Sequence, residues 1–183
     1  MTDVNFPLSG STLIVGPSQV GKTRLTALAL NAWIETESVE GVVVLEFAPE
    51  VEHNGCLLGG RLDRYTTIPD GVWCAILDAH APRTDSETDE ESVALARDNA
   101  ERAERILDEA PKPRVVFVND STIPFQHAGS DLQKFTTYCA HAECVVMNAF
   151  ESNELGTDDP VSRCEREALE ILHEWADRTI SLE

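Results

Sequence analysis

Lysine is almost missing from this sequence, occurring only at positions 22, 112 and 134. Asp and Glu total 33 against 14 Lys plus Arg, for a formal net charge of −19. A field this negative repels phosphate backbones and disfavours free DNA or RNA as the main partner. An acidic, Lys-poor surface also keeps a protein dispersed in a high-salt cytoplasm, so the composition reads as halophilic rather than as a face for a dedicated basic partner. Long apolar runs are missing too. No stretch of about 18 apolar residues exists, so no transmembrane helix and no membrane association are expected. The opening MTDVNFPLSG lacks both a basic region and an apolar stretch, so no secretory signal is expected and a cytoplasmic location is. The five cysteines follow no pairing pattern and are expected to stay reduced. Cys139, His141 and Cys144 stand close together but fall short of the four ligands of a structural zinc site. At 183 residues the chain suits one α/β domain, residues 1–183, and is too short for two.

What is there is organised around GPSQVGKT, Gly16, Pro17, Ser18, Gln19, Val20, Gly21, Lys22 and Thr23. An apolar run, Thr12 to Val15, precedes it and LTALALNAW follows. A strand that ends in glycines and opens into a helix turns successive N–H groups into one concavity at a helix N-terminus, which is where phosphate binds. In that setting Lys22 reaches the β/γ-phosphates of a nucleotide and the Thr23 hydroxyl holds Mg²⁺. Local N–H dipoles, a lysine and a metal ion make ATP binding compatible with an acidic protein.

Along the chain, apolar runs and helical periodicities alternate. The first strand is Thr12 to Val15. A helix from Lys22 to Glu35 presents Leu25, Leu28, Ala29, Ala32 and Trp33 on one face. VVVLEF, 42 to 47, is the second strand. The segment from Glu50 to Gly71, with Gly55, Gly59, Gly60 and Pro69, is expected to be mostly loop with a short helical or extended piece near Leu57 to Tyr65. VWCAILDA, 72 to 79, is a strand. Ser86 to Ala110 is a helix with a capping box at Thr88 and Glu91, presenting Val93, Ala96, Ala100, Ala103 and Leu107. RVVFVND, 114 to 120, is another strand, followed by a helix over 126 to 142 and the strand ECVVMNAF, 143 to 150. Asp159-Pro160 starts a last helix with Val161, Cys164, Ala168, Ile171, Leu172 and Trp175 inward. Thr179 to Leu182 reads as an edge strand. The alternation predicts a three-layer α/β/α domain with a mainly parallel sheet.

Two aspartates close apolar strands and can serve a metal shell, Asp120 and Asp78. The order of motifs resembles the ATPase core of the RecA recombinase family and its KaiC- and RadA-like relatives, within the P-loop NTPases. GPSQVGKTRLT, VVVLEFAPE, VVFVNDSTIPF and VVMNAFESNE carry the resemblance. It implies a RecA-like strand order, Lys22 and Thr23 on phosphate and metal, Glu46 polarising the attacking water, Asp120 in the Mg²⁺ shell and Asn148 sensing the γ-phosphate. Ser121 stands where many related ATPases have a glutamate, which turns attention to Glu46. The family's DNA-binding loops are not recognisable. Arg61 and Arg64 read either as a finger toward a neighbouring subunit's nucleotide or as surface ion-pair partners.

Three functions follow as expectations. The first is a Mg²⁺-dependent ATPase that drives a conformational or assembly step, as a homo-oligomer or with a protein partner. The second is a small-molecule transferase, a kinase or a relative of the P-loop corrinoid adenosyltransferases, with the Glu50 to Gly71 segment forming the acceptor pocket. The third is a nucleotide-binding regulatory module with little turnover.

Overall fold

The computed structural model describes residues 4–53, 55–58 and 60–183. Gly59 and the first three residues, on which expectations were also set, lie outside the described residues. Six strands form one sheet: β1 (Gly10–Gly16), β2 (Val42–Glu46), β5 (Trp73–Ile76), β6 (Val115–Asn119), β7 (Cys144–Phe150) and β8 (Arg178–Ser181). Their spatial order is β5-β2-β6-β7-β1-β8, and every pairing in this sheet is parallel. A separate antiparallel hairpin, β3 (Val51–His53) with β4 (Cys56–Leu58), occupies the segment read as loop. A single 3-10 turn follows at Leu62–Arg64.

The helices are α1 (Lys22–Thr36), α2 (Asp89–Glu109), α3 (Leu132–Cys139) and α4 (Pro160–Trp175). Side chains alternate across the strands, and two buried clusters form, one on each face. Leu13, Val15, Val116, Val118 and Met147 pack with Ala103 of α2, Phe135 of α3 and Leu172 of α4. Ile14, Val44, Phe117 and Val146 pack with Leu30 and Trp33 of α1 and with Leu62. Helices therefore cover both faces of a parallel sheet, in three layers. Among the described residues no helix is long and apolar enough to cross a membrane.

Local chemistry sets the helix ends. The Thr88 hydroxyl accepts from the Glu91 N–H at 3.2 Å at the start of α2, while the Glu91 carboxylate accepts from the Glu87 N–H at 2.8 Å. Asp159 accepts from the Ser162 N–H at 2.9 Å at the start of α4, with Pro160 at the first helical position. The helix expected over 126–142 is shorter. Ile123–Phe125 forms a 3-10 turn, the loop through Gly129 and Ser130 follows, and Asp131 then caps α3 by accepting from the Lys134 N–H at 2.9 Å.

Three helices bury most of the residues expected to face inward, Trp33, Ala103 and Leu172 among them, and take in polar groups beside them. In α1 Ala29, Ala32 and Trp33 are buried as expected and Thr26 and Leu30 join them, while Leu25 and Leu28 are half-buried. In α2 the buried face includes Ser92 and Asn99. Asn99 accepts from the His80 N–H at 2.9 Å and donates to the His80 carbonyl at 3.0 Å, tying α2 to the chain leaving β5. In α4 it includes Glu165 and Leu169, while Ile171 is exposed.

Candidate functional site

β1 ends at Gly16 and α1 begins at Lys22, with the loop between them turning at the carboxyl edge of the sheet. Gly16 has φ +153°, and a Cβ there would lie 2.4 Å from the Leu182 carbonyl oxygen, so neither the backbone nor the space admits a side chain. Gly21, at the N-cap of α1, has φ +99° with nothing within 4 Å of its absent Cβ, so only its conformation calls for glycine. No side chain caps α1 and its first turn holds no acidic residue. Its leading N–H groups, normally satisfied by a cap, are thus left for an anion from elsewhere. One loop amide already holds a carboxylate, for Ser18 N–H donates to Glu154 Oε1 at 2.7 Å.

A cleft of about 760 Å³ opens above this loop. Ser18 to Thr23 line it together with Asp120 and Asn148, bringing most of the sequence-predicted residues to one place. Lys22 is buried, and its ammonium donates to the Pro17 carbonyl. Burial lowers its pKa from the ordinary lysine value, against the opposing pull of the Asp120 and Glu154 charges. Asp120 leaves β6 in the left-handed region at φ +60°. Its carboxyl is pushed up to about 6 by burial and by the Glu165 charge, while Lys22 and Arg83 act the other way. Thr23 and Asp120 offer a hydroxyl and a carboxylate to the same cleft, hard oxygen donors of the kind Mg²⁺ takes.

Beneath the cleft runs a buried polar ladder across three adjacent strands. Glu46 and Asn119 are the last residues of β2 and β6, and Asn148 follows the apolar run 145–147 within β7. Asn148 Nδ2 donates to Thr26 Oγ1 at 2.8 Å and to Asn119 Oδ1 at 2.9 Å, and its Oδ1 accepts from the Asp120 N–H at 2.9 Å. Asn119 Nδ2 donates in turn to Glu46 Oε1 and to the Gly60 carbonyl, both at 2.7 Å. The second Glu46 oxygen accepts from the Leu62 N–H at 2.8 Å. Glu46 is 2 % exposed and is not among the cleft-lining residues, so its carboxylate fastens the 60–62 segment to the sheet instead of facing the cleft. Burial pushes its pKa up to about 7, although the Leu62, Asn119 and Ala48 donors all favour the ionised form. Asn148 lies on the cleft, but both its amide hydrogens and its oxygen are engaged with protein groups.

Asp78 is apart from this arrangement. Its side chain is 85 % exposed, and it pairs with Arg61 at 3.0 Å. Arg64 pairs with Glu50 at 2.9 Å and also lines the cleft. Cys139 and Cys144 are buried free thiols, and burial pushes Cys144 up to about 12. Among the described residues no group of three or more His, Cys, Asp and Glu side chains is placed to hold a metal ion.

Comparison with known proteins adds nothing to this geometry: no family model matches the chain. No curated protein matches it either.

Sequence reasoning missed three features of the site. Asn119 is the hub of the ladder, and its signal was present in the sequence as an Asn closing the apolar run of β6, as Glu46 closes β2 and Asn148 interrupts β7. Glu165 is a carboxylate within the inward stripe of α4, where charge is out of place. Its partner Arg83 follows Pro82 in a loop with no periodicity to mark it.

Proposed function

We propose that this chain is a P-loop nucleotide-binding protein that binds ATP with Mg²⁺ and hydrolyses it, on a RecA-like sheet. The observation that carries the reading is the convergence on one cleft of an uncapped, glycine-bounded loop at the start of α1, the buried Lys22, and Asp120 at the end of a neighbouring strand. Ligands of parallel α/β sheets collect at the carboxyl ends of the strands, and this cleft is there. The insertion of β7 between β1 and β6 supports the RecA-like order, because that arrangement separates the loop strand from the strand carrying the metal-side aspartate.

In this reading the backbone of Gly16 to Thr23 cradles the phosphates, with Pro17, Ser18, Gln19 and Val20 shaping the turn. Lys22 contacts the β/γ-phosphates. Thr23 and Asp120 would hold Mg²⁺, which when bound neutralises phosphate charge. Asn148 acts as a positioning residue, since its oxygen fixes the backbone N–H of Asp120. Glu46 braces the 60–62 segment, which forms part of the cleft wall through Gly60. Glu154 yields Ser18 N–H when a phosphate arrives.

The cleft continues past the loop to Pro49, Tyr65 and Thr84, which favours one further reading, a P-loop transferase with its acceptor in that extension. Phosphate release from Mg·ATP tests both. The ATPase reading expects release without any added acceptor, falling at least about tenfold in Asp120→Asn because a charged metal ligand is lost. ATP consumption only on addition of an acceptor supports the transferase, and nucleotide binding with neither outcome supports a regulatory module. Turnover unchanged by Asp120→Asn would remove that residue from the metal site.

A further inference from the structure

Arg83 is built into the cleft more firmly than a surface arginine needs to be. The turn that carries it is fixed by Ala81, whose carbonyl accepts from the Thr84 and Asp85 N–H groups at 3.0 and 2.8 Å and whose own N–H donates to Asp85 Oδ2 at 2.9 Å. From there the guanidinium pairs with Glu165 at 2.6 Å and donates to Ser162 Oγ at 3.0 Å, and its carbon lies 5.8 Å from the centre of the Phe150 ring. The two charged side chains are only 14 % and 5 % exposed. The other Glu165 oxygen accepts from Thr122 Oγ1 at 2.9 Å, two residues beyond Asp120.

Burying an ion pair costs several kcal/mol per ion in desolvation, and a well-packed apolar pair of the same volume commonly holds a structure as well or better. A pair whose only duty is to fasten α4 to the sheet is thus an expensive choice. Its location offers another duty. Arg83 and Glu165 line the cleft that Ser18 to Thr23 also line. A guanidinium has five N–H donors in a rigid fork matched to phosphate, and Glu165 and Ser162 engage Nη2 and Nη1 without exhausting them. Glu165, which holds Arg83, is itself held by Thr122 just past Asp120, and Asp120 lines the same cleft, which sets the pair at the Asp120 side of the cleft.

We propose that Arg83 is a second phosphate-contacting cation of the cleft, reaching the terminal phosphate of a nucleoside triphosphate, with Glu165 as its positioning residue. This rests on the phosphate-loop reading of Gly16 to Thr23. It assigns the site a preference for triphosphate over diphosphate supplied from within the same chain. Glu165 holds the fork by one edge, and the Phe150 ring supports its face, so little side-chain freedom is lost when the phosphate arrives.

The test is the ratio of dissociation constants for ADP and for the non-hydrolysable triphosphate AMP-PNP, both with Mg²⁺, measured by titration calorimetry on the full chain. In Arg83→Ala the preference for triphosphate is expected to fall at least about tenfold, the worth of a charge-assisted hydrogen bond, while ADP affinity holds. Arg83→Lys keeps the charge and loses the fork, and is expected to recover part of the preference. Glu165→Gln lowers it by releasing the guanidinium. If Arg83→Ala does not fold, the paired variant R83M/E165M removes both buried charges together and reads the same ratio. A wild-type ratio retained in a folded Arg83 variant that still binds ADP overturns the proposal and leaves the phosphate-loop reading intact. A wild-type protein that binds neither nucleotide overturns both.

Discussion

Glu46 carries a carboxylate where ionisation is costly, and that cost is a pH signature. Its pKa is raised from 4.5 to about 7, chiefly by burial. A carboxyl group with a folded pKa above its unfolded one holds its proton more tightly in the fold. Between about 4.5 and about 7 the folded state therefore binds more protons, and stability falls as pH rises. Below that window the penalty is absent, and above it the penalty is complete, on the order of 3 kcal/mol. The difference in unfolding free energy between wild type and Glu46→Gln is expected to fall by up to that amount from the lower to the upper end of the window. Urea unfolding at a series of pH values checks it, since any fixed effect of the substitution cancels. A difference that stays constant with pH would mean that Glu46 has the same pKa in the folded as in the unfolded chain. At this scale the site was partly legible. A motif written in local chemistry, such as Gly16 to Thr23, can be read from letters, and so can an aspartate that ends an apolar strand. What a strand-end side chain faces depends on which loop folds over it, and the 60–62 segment that claims Glu46 has no pattern that announces its position.

At the scale of elements, the junction of β1 and α1 depends on two glycines for different reasons. Gly16 needs both its conformation and its missing Cβ, because the space is filled by backbone of the residue that follows β8. Gly21 needs its conformation alone. Alanine at either position carries the strain of a left-handed backbone, about 1–3 kcal/mol. Gly16→Ala must also displace the Leu182 carbonyl, which is backbone and cannot swing aside as a side chain would. Gly16→Ala is thus expected to be the more destabilising by about 1 kcal/mol or more, as a lower urea midpoint. Equal midpoints would show that the chain after β8 gives way freely. The six strands of the sheet and the four helices were legible, because buried parallel strands read as short continuous apolar runs, whereas the β3–β4 hairpin was not, lying in a segment read as mostly loop. Helix phase was less so. Thr26, Asn99 and Glu165 face inward because each finds a partner there, respectively Asn148, the His80 backbone and the Arg83–Thr122 pair. A count of apolar residues cannot foresee such pairing, so in α1, α2 and α4 it missed these polar members of the buried face while placing Trp33, Ala103 and Leu172 correctly.

For the whole molecule, the order of the six strands is what turns a list of strand-end residues into a site. β6 and β7 carry Asp120 and Asn148 to the same edge as the loop after β1, while β5, at the far side of β2, takes Asp78 to an ion pair with Arg61. Both aspartates end apolar runs and only the topology separates them, so sequence alone left them as alternatives. The net charge of −19 acts on this site from outside by opposing the approach of any polyanion. In the reading proposed above, affinity for a nucleotide must then come from within the cleft. The charge of Lys22, which burial disfavours and which Asp120 and Glu154 support in part, is central to that. Titration of the wild type and of Lys22→Ala with Mg·ATP by calorimetry is the direct measurement. Binding by the wild type is expected, weakened at least about tenfold in the variant, because a charge-assisted contact to phosphate contributes about 1.5–3 kcal/mol. Equal affinities, or no binding by the wild type, would contradict it.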